Sequence, residues 1–143
     1  MDDVSNPLVK EFTFNVPAEK VWTAIIDKDT MKKWYFPQLR EFKPVTGFRF
    51  QFDDQGAGYQ KEWIVTQMVE GKRLAHSWAY KGYQGSSEVI FDLFPQDNTT
   101  KLRITQTDLE SFPNHPHFRR DRFESGWDHL LGQNLRQLLE NRN

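Results

Sequence analysis

Between Leu8 and Val16 the chain alternates, with Phe12, Phe14 and Val16 on one side and Glu11, Thr13 and Asn15 on the other. That is the period of a strand with one buried face. At Pro17 the period changes: Pro17 suits a first helical position, Glu19 complements a helix's positive end, and Val21, Trp22, Ile25 and Ile26 recur at helical spacing. A short helix is therefore predicted after the first strand. Asp27 is placed to cap a second short helix containing Thr30 to Trp34, and after Pro37 the residues up to Phe42 read as extended.

Two-residue alternation then returns and repeats. Phe48, Phe50 and Phe52 alternate with Arg49, Gln51 and Asp53, and a turn at Gly56-Ala57-Gly58 leads into a strand near Tyr59 to Val69. There Ile64 and Met68 compete with Trp63 and Val65 for the apolar face, which implies a bulge. After Gly71, Leu74, His76, Trp78 and Tyr80 face away from Ala75, Ser77 and Ala79; beyond Gly82 and Gly85, Val89, Phe91 and Leu93 share a face. Past Asp97-Asn98 so do Leu102, Ile104 and Gln106. A loop from Ser111 to Pro116, placed to act as a lid, precedes a final amphipathic helix. Phe123, Gly126, Trp127, Leu131 or Leu130, Leu135 and Leu138 form that helix's apolar stripe. The expected fold is α+β: a seven-stranded antiparallel sheet curled around a long C-terminal helix, with two short helices between the first two strands.

Composition narrows the function classes. A chain of 143 residues without repeat or linker is expected to form one domain over 1–143. Mean hydropathy is low, at −0.77, yet 15% of residues are aromatic, enough for a core. With 19 Lys plus Arg against 20 Asp plus Glu there is no global field for nucleic acid, and no nucleic-acid partner is expected. No apolar run reaches the length of a membrane span, and Met1-Asp2-Asp3-Val4 does not begin a leader, so no membrane insertion and a cytoplasmic location are expected. The lack of cysteine excludes disulfides, thiolate nucleophiles and sulfur-ligated metal. His115, His117 and His129 have nonspecific spacing with Pro116 intervening, so neither a metal nor another cofactor is expected. Gly56-Ala57-Gly58 lacks the following lysine and helix of a phosphate loop.

Several stretches, in order, resemble one family. They are Phe12-Thr-Phe-Asn-Val-Pro-Ala-Glu-Lys-Val-Trp22, Asp27 with Trp34, Gly47-Phe48-Arg49-Phe50 and Arg73-Leu74-Ala-His-Ser-Trp78. Val89-Ile-Phe-Asp-Leu93, Thr100-Lys-Leu-Arg-Ile-Thr-Gln106 and Gly126-Trp127 continue the series. Together they resemble the domain of the heat-shock protein 90 ATPase activator homologues, within the superfamily of START-related and birch-pollen-allergen-related proteins (SRPBCC). The resemblance implies a helix-grip fold with an apolar cavity, and members that bind lipids, hormones or polyketides or serve as partner-binding modules, including in the stress response. Gln106 stands where many members carry His.

Within that frame Phe50, Trp63, Trp78, Phe91, Phe123, Trp127 and Leu131 are candidates for a cavity wall between sheet and helix. The competing reading is that these side chains simply fill the core. His76 and Gln106 are polar on apolar faces and need partners, from each other, a water or a ligand's polar end. Arg119, Arg120 and Arg122 crowd the start of the last helix, either neutralised by Asp121 and Glu124 or drawing an anionic head group to the cavity mouth. No catalytic residue is assigned. The leading expectation is a domain that holds an apolar or amphipathic small molecule. The alternatives are a chaperone-associated or regulatory partner-binding module, and a cyclase- or aromatase-type enzyme using His76 as base.

Overall fold

The computed structural model describes residues 7–53, 60–113 and 116–140. The turn at Gly56 to Gly58, with Tyr59, lies outside them. Strand β1 (Leu8–Phe14) is followed by α1 (Ala18–Ile26), α2 (Lys28–Trp34), β2 (Leu39–Glu41) and β3 (Gln51–Phe52). Next come β4 (Val65–Val69), β5 (Arg73–Trp78), β6 (Ser87–Gln96) and β7 (Thr99–Thr107), then two single 3-10 turns. The chain ends in α3 (Arg120–His129), a π-helical stretch at Leu130–Leu135, and α4 (Arg136–Glu140). The two helices lie between β1 and β2, as expected, and an antiparallel sheet with a C-terminal helix fits the helix-grip architecture.

The expectation of one seven-stranded sheet is corrected. The main sheet has five antiparallel strands in the order β1-β7-β6-β5-β4, and β2 and β3 form a separate pair. The two are joined by irregular bonding: Val65 N–H donates to Phe48 O at 2.9 Å, Phe50 N–H to Trp63 O at 2.9 Å, and Arg49 bridges Ile64. The ladder breaks at Ser77. Its carbonyl lies 2.8 Å from His76 Nδ1, and its hydroxyl, not that carbonyl, accepts Ile64 N–H at 3.0 Å. Regular pairing of β4 with β5 accordingly begins at Val65, with a register shift between Val65 and Gln67 where the sequence implies a bulge.

Burial follows the alternation closely. Val89, Phe91 and Leu93 on β6 and Leu102, Ile104 and Gln106 on β7 are buried, as are Leu8 and Phe14 on β1. Ala75, expected on the far face of β5, is buried too. Against this face lie Met31 and Trp34 of α2 and Phe123, Trp127, Leu131 and Leu135 of the C-terminal helix. Those four recur every fourth residue, a spacing that drifts by about 40° per step on a helix of 3.6 residues per turn. The wider π turn, which the sequence pattern does not announce, takes the drift back. It also lets Asn134 Nδ2 donate to Trp34 O at 3.3 Å, satisfying a carbonyl at the end of α2. Asp27 caps α2 as expected, its carboxylate accepting Thr30 N–H at 3.0 Å.

Candidate functional site

The first part of α3 does not press onto the sheet along its whole length. Beside it lies a pocket of about 800 Å3 whose apolar lining comes from Phe36, Trp78, Tyr80, Phe123, Trp127 and Leu130. Its polar lining comes from Lys61, Arg119, Asp121, Arg122, Ser125 and His129. Lys61 bridges Tyr80 across an antiparallel pair, which places both at the pocket. Trp78 Nε1 donates to Tyr80 Oη at 2.8 Å, so the indole on the wall spends its donor within the protein. Trp78 meets Phe123 edge-on at 5.8 Å and Trp127 at 5.7 Å. Beyond them Phe112, within the expected lid loop, stacks at 5.1 Å on Phe118, which lies just past it, and at 5.9 Å on Phe123. Asn114 and His115 of that loop, and the side chain of His117, lie outside the described residues.

Of the nine side chains expected at a site, Trp78, Phe123 and Trp127 line the pocket. Phe50, Trp63, His76, Phe91, Gln106 and Leu131 stand behind that wall, buried in the core. The core is dense with rings: Tyr35 lies 4.5 Å from Trp34, 5.6 Å from Trp63 and 6.0 Å from Phe91 and Trp127. Their polar atoms are largely satisfied. Gln106 Oε1 accepts Trp127 Nε1–H at 2.9 Å, and Gln106 Nε2 donates to Ser87 Oγ at 3.0 Å.

His76 pairs not with Gln106 but with Tyr35. A carbonyl only accepts, so Nδ1, 2.8 Å from Ser77 O, carries the ring proton, and Nε2 accepts the Tyr35 hydroxyl at 3.0 Å. Burial pushes the imidazole down from 6.5 to about 4, against the opposing pull of the Ser77 carbonyl. Burial likewise raises the Tyr35 phenol well above its ordinary value. The pair is a neutral hydrogen-bonded couple inside the core.

The cations are arranged differently. Lys61 is half-buried, and its Nζ sits 4.5 Å from the Phe36 centroid and 5.7 Å from that of Phe52. Burial holds its ammonium below the ordinary lysine value. Arg119 pairs with Asp121 at 3.0 Å, and Arg120 with Glu124 at 3.5 Å, whereas Arg122 has no carboxylate partner among the described residues. The sequence pattern singles out the arginines and offers Leu130 as an alternative to Leu131 on the helix stripe, but does not point to Lys61 or Phe36. Lys61 shares its alternation with Trp63 and Val65, a signal that could have placed it on the inner face.

An antiparallel sheet, a C-terminal helix packed across it and a pocket beside that helix together define a helix-grip class of domain. Residues 15–140 match the family described as Activator of Hsp90 ATPase homolog 1-like protein. The chain belongs to that family, in agreement with the resemblance carried by its motifs. No curated protein matches it. The fold is similar to that of protein MLL2253 from Mesorhizobium loti, at 25% identity and a TM-score of 0.75, covering 96% of this chain and 99% of that one. It is also similar to CalU16 from Micromonospora echinospora, at 18% identity and 0.74, covering 97% and 77%. The Aha1 dimer from Colwellia psychrerythraea is similar at 20% identity and 0.71, covering 95% and 97%. The last two likenesses speak to fold alone. Among the described residues no helix is long and apolar enough to cross a membrane.

Proposed function

We propose that this protein holds an apolar or amphipathic small molecule in the pocket between the sheet and α3. The observation that carries the reading is the pocket itself: about 800 Å3, walled by Trp78, Phe123 and Trp127. That size falls within the roughly 300–1,000 Å3 usual for small-molecule sites. The rings offer apolar area without directional demands, which suits a flexible or aromatic body. Native mass spectrometry of gently purified protein, with extraction of any adduct and tryptophan fluorescence titrations with fatty acids, sterols and aromatic polyketides, tests it. Saturable one-to-one binding that Phe123→Ala weakens is expected. A clean apo mass and no binding across that set would refute the reading.

A second reading, a module that docks a chaperone, is favoured by the family description, which names an activator of the Hsp90 ATPase. It predicts nucleotide-dependent capture of the chaperone by the immobilised chain. A cyclase-type reading draws no support from His76, whose ring nitrogens are both engaged behind the wall.

A further inference from the structure

A half-buried ammonium is ordinarily matched by a carboxylate, because a charge withdrawn from water needs a partner. Lys61 has none among the described residues: what faces its Nζ is the rings of Phe36 and Phe52. A ring face attracts the charge but does not take up three N–H donors as oxygen atoms would. The backbone fixes Lys61 in place, with Lys81 N–H donating to Gln60 O and Glu62 N–H to Ala79 O, both at 2.8 Å. A second element supplies more positive charge. Arg119 and Arg122 of the C-terminal helical segment line the same pocket, giving three basic side chains with Lys61 against the single carboxylate of Asp121 in a chain of net charge −1. Asp121 is already engaged by Arg119, which leaves Lys61 and the exposed Arg122 to face an incoming anion.

We propose that the pocket selects a carboxylate-headed amphiphile, with Lys61 binding the carboxylate and the apolar body lying along Trp78, Phe123 and Trp127. This rests on the small-molecule reading above. Arg122 keeps its water, so the one charge withdrawn from solvent is that of Lys61, which a singly charged carboxylate balances more closely than a phosphate carrying nearly two. Arg122, exposed to solvent, contributes long-range attraction that salt screens. The lowered affinity of Lys61 for its proton fits the same picture, since an ammonium poorly solvated by the protein is the one an anionic head relieves.

The test compares dodecanoate with dodecan-1-ol, both below their aggregation thresholds, by tryptophan fluorescence and calorimetry. Wild type is expected to bind the acid about tenfold more tightly, the scale of one partly exposed charge-assisted bond. Lys61→Met keeps the apolar stem and should bring that ratio to about one. Lys61→Arg should retain most of it, and Lys32→Met on the exposed side of α2 should leave it unchanged. Far-UV circular dichroism and urea midpoints check that each variant folds. Equal affinities in wild type, or a ratio that survives Lys61→Met, would overturn the selection while leaving the small-molecule reading intact. Failure of both ligands to bind wild type would overturn the selection, and the small-molecule reading falls with it only if sterols and aromatic polyketides also fail to bind.

Discussion

Lowering the pH should destabilise this protein through one identifiable group. His76 is fully buried and neutral, its proton on Nδ1 given to Ser77 O and its Nε2 accepting from Tyr35. Protonating Nε2 would break the bond from Tyr35 and place a charge among Trp63, Phe50 and Phe91, whose ring centroids lie 4.6, 5.0 and 6.1 Å away. With a folded-state value of about 4 against 6.5, the unfolded chain binds more protons than the native one between those limits. Stability therefore rises with pH across that window and is lost as pH falls from about 6.5 toward 4. A fall from 6.5 to about 4, at about 1.4 kcal/mol per pH unit, bounds the loss at about 3 to 4 kcal/mol, of which about 3 is reached by pH 4. Urea unfolding of wild type and His76→Gln, followed by tryptophan fluorescence at intervals from pH 7 to pH 4, isolates this group because the carboxylates titrate in both proteins. The variant should be less stable at pH 7, and its deficit should shrink by about 3 kcal/mol by pH 4. A deficit that stays constant within about 0.5 kcal/mol over the range would refute the assignment of His76 as a buried neutral imidazole.

Three further outcomes can be checked by denaturant unfolding. Trp127→Ala should cost about 3–5 kcal/mol, because it removes a buried indole and leaves Gln106 Oε1 without its donor. Gly85→Ala should cost at least about 2 kcal/mol, since φ is +99° and the new Cβ would lie 2.5 Å from Ser111 O; Gly71→Ala, at φ +74° with open space around it, should cost about half as much. Asp27→Ala should cost about 1 kcal/mol through loss of the α2 cap. The Thr30 hydroxyl and amide hold the Asp27 carboxyl below its ordinary value, so in wild type that cap should persist until pH falls through the depressed value.

The faces of the long strands are legible in the sequence because burial on a sheet has a period of two, which β7 keeps throughout and β6 keeps as far as Leu93. The break between β3 and the main sheet is not legible. There the segments meet only through an isolated bridge between Arg49 and Ile64 and a few irregular backbone bonds, although Phe48, Phe50 and Phe52 alternate like any other strand. The π turn is hidden for a related reason: a run of apolar residues every four positions fits a drifting α-helix until the partner surface is known. At the site, periodicity identifies the face on which Trp63, His76, Phe91 and Trp127 lie but carries no depth. Whether a ring fills the core or lines a pocket depends on what stands in front of it, and Phe36 and Lys61, from the irregular segments, do that here.

Depth also separates the kinds of recognition open to this fold. In the core nearly every polar side-chain atom is taken: His76 by Tyr35 and Ser77, Gln106 by Ser87 and Trp127, Trp34 by Ala24 O. Trp63 Nε1 and Gln38 Oε1 are the buried exceptions among the described side chains. A molecule reaching inward past Trp78 and Trp127 would find apolar area and few free donors, so the inner wall can reward size and shape but hardly polarity. At the pocket, Lys61 and Arg122 carry donors that have no carboxylate partner among the described residues. In the proposed binding mode, discrimination by charge falls to the lining around α3 and accommodation of the apolar body to the rings. The two can change separately: substitutions at 61 and 122 would retune which head is accepted without disturbing the aromatic core that keeps the sheet and helix together.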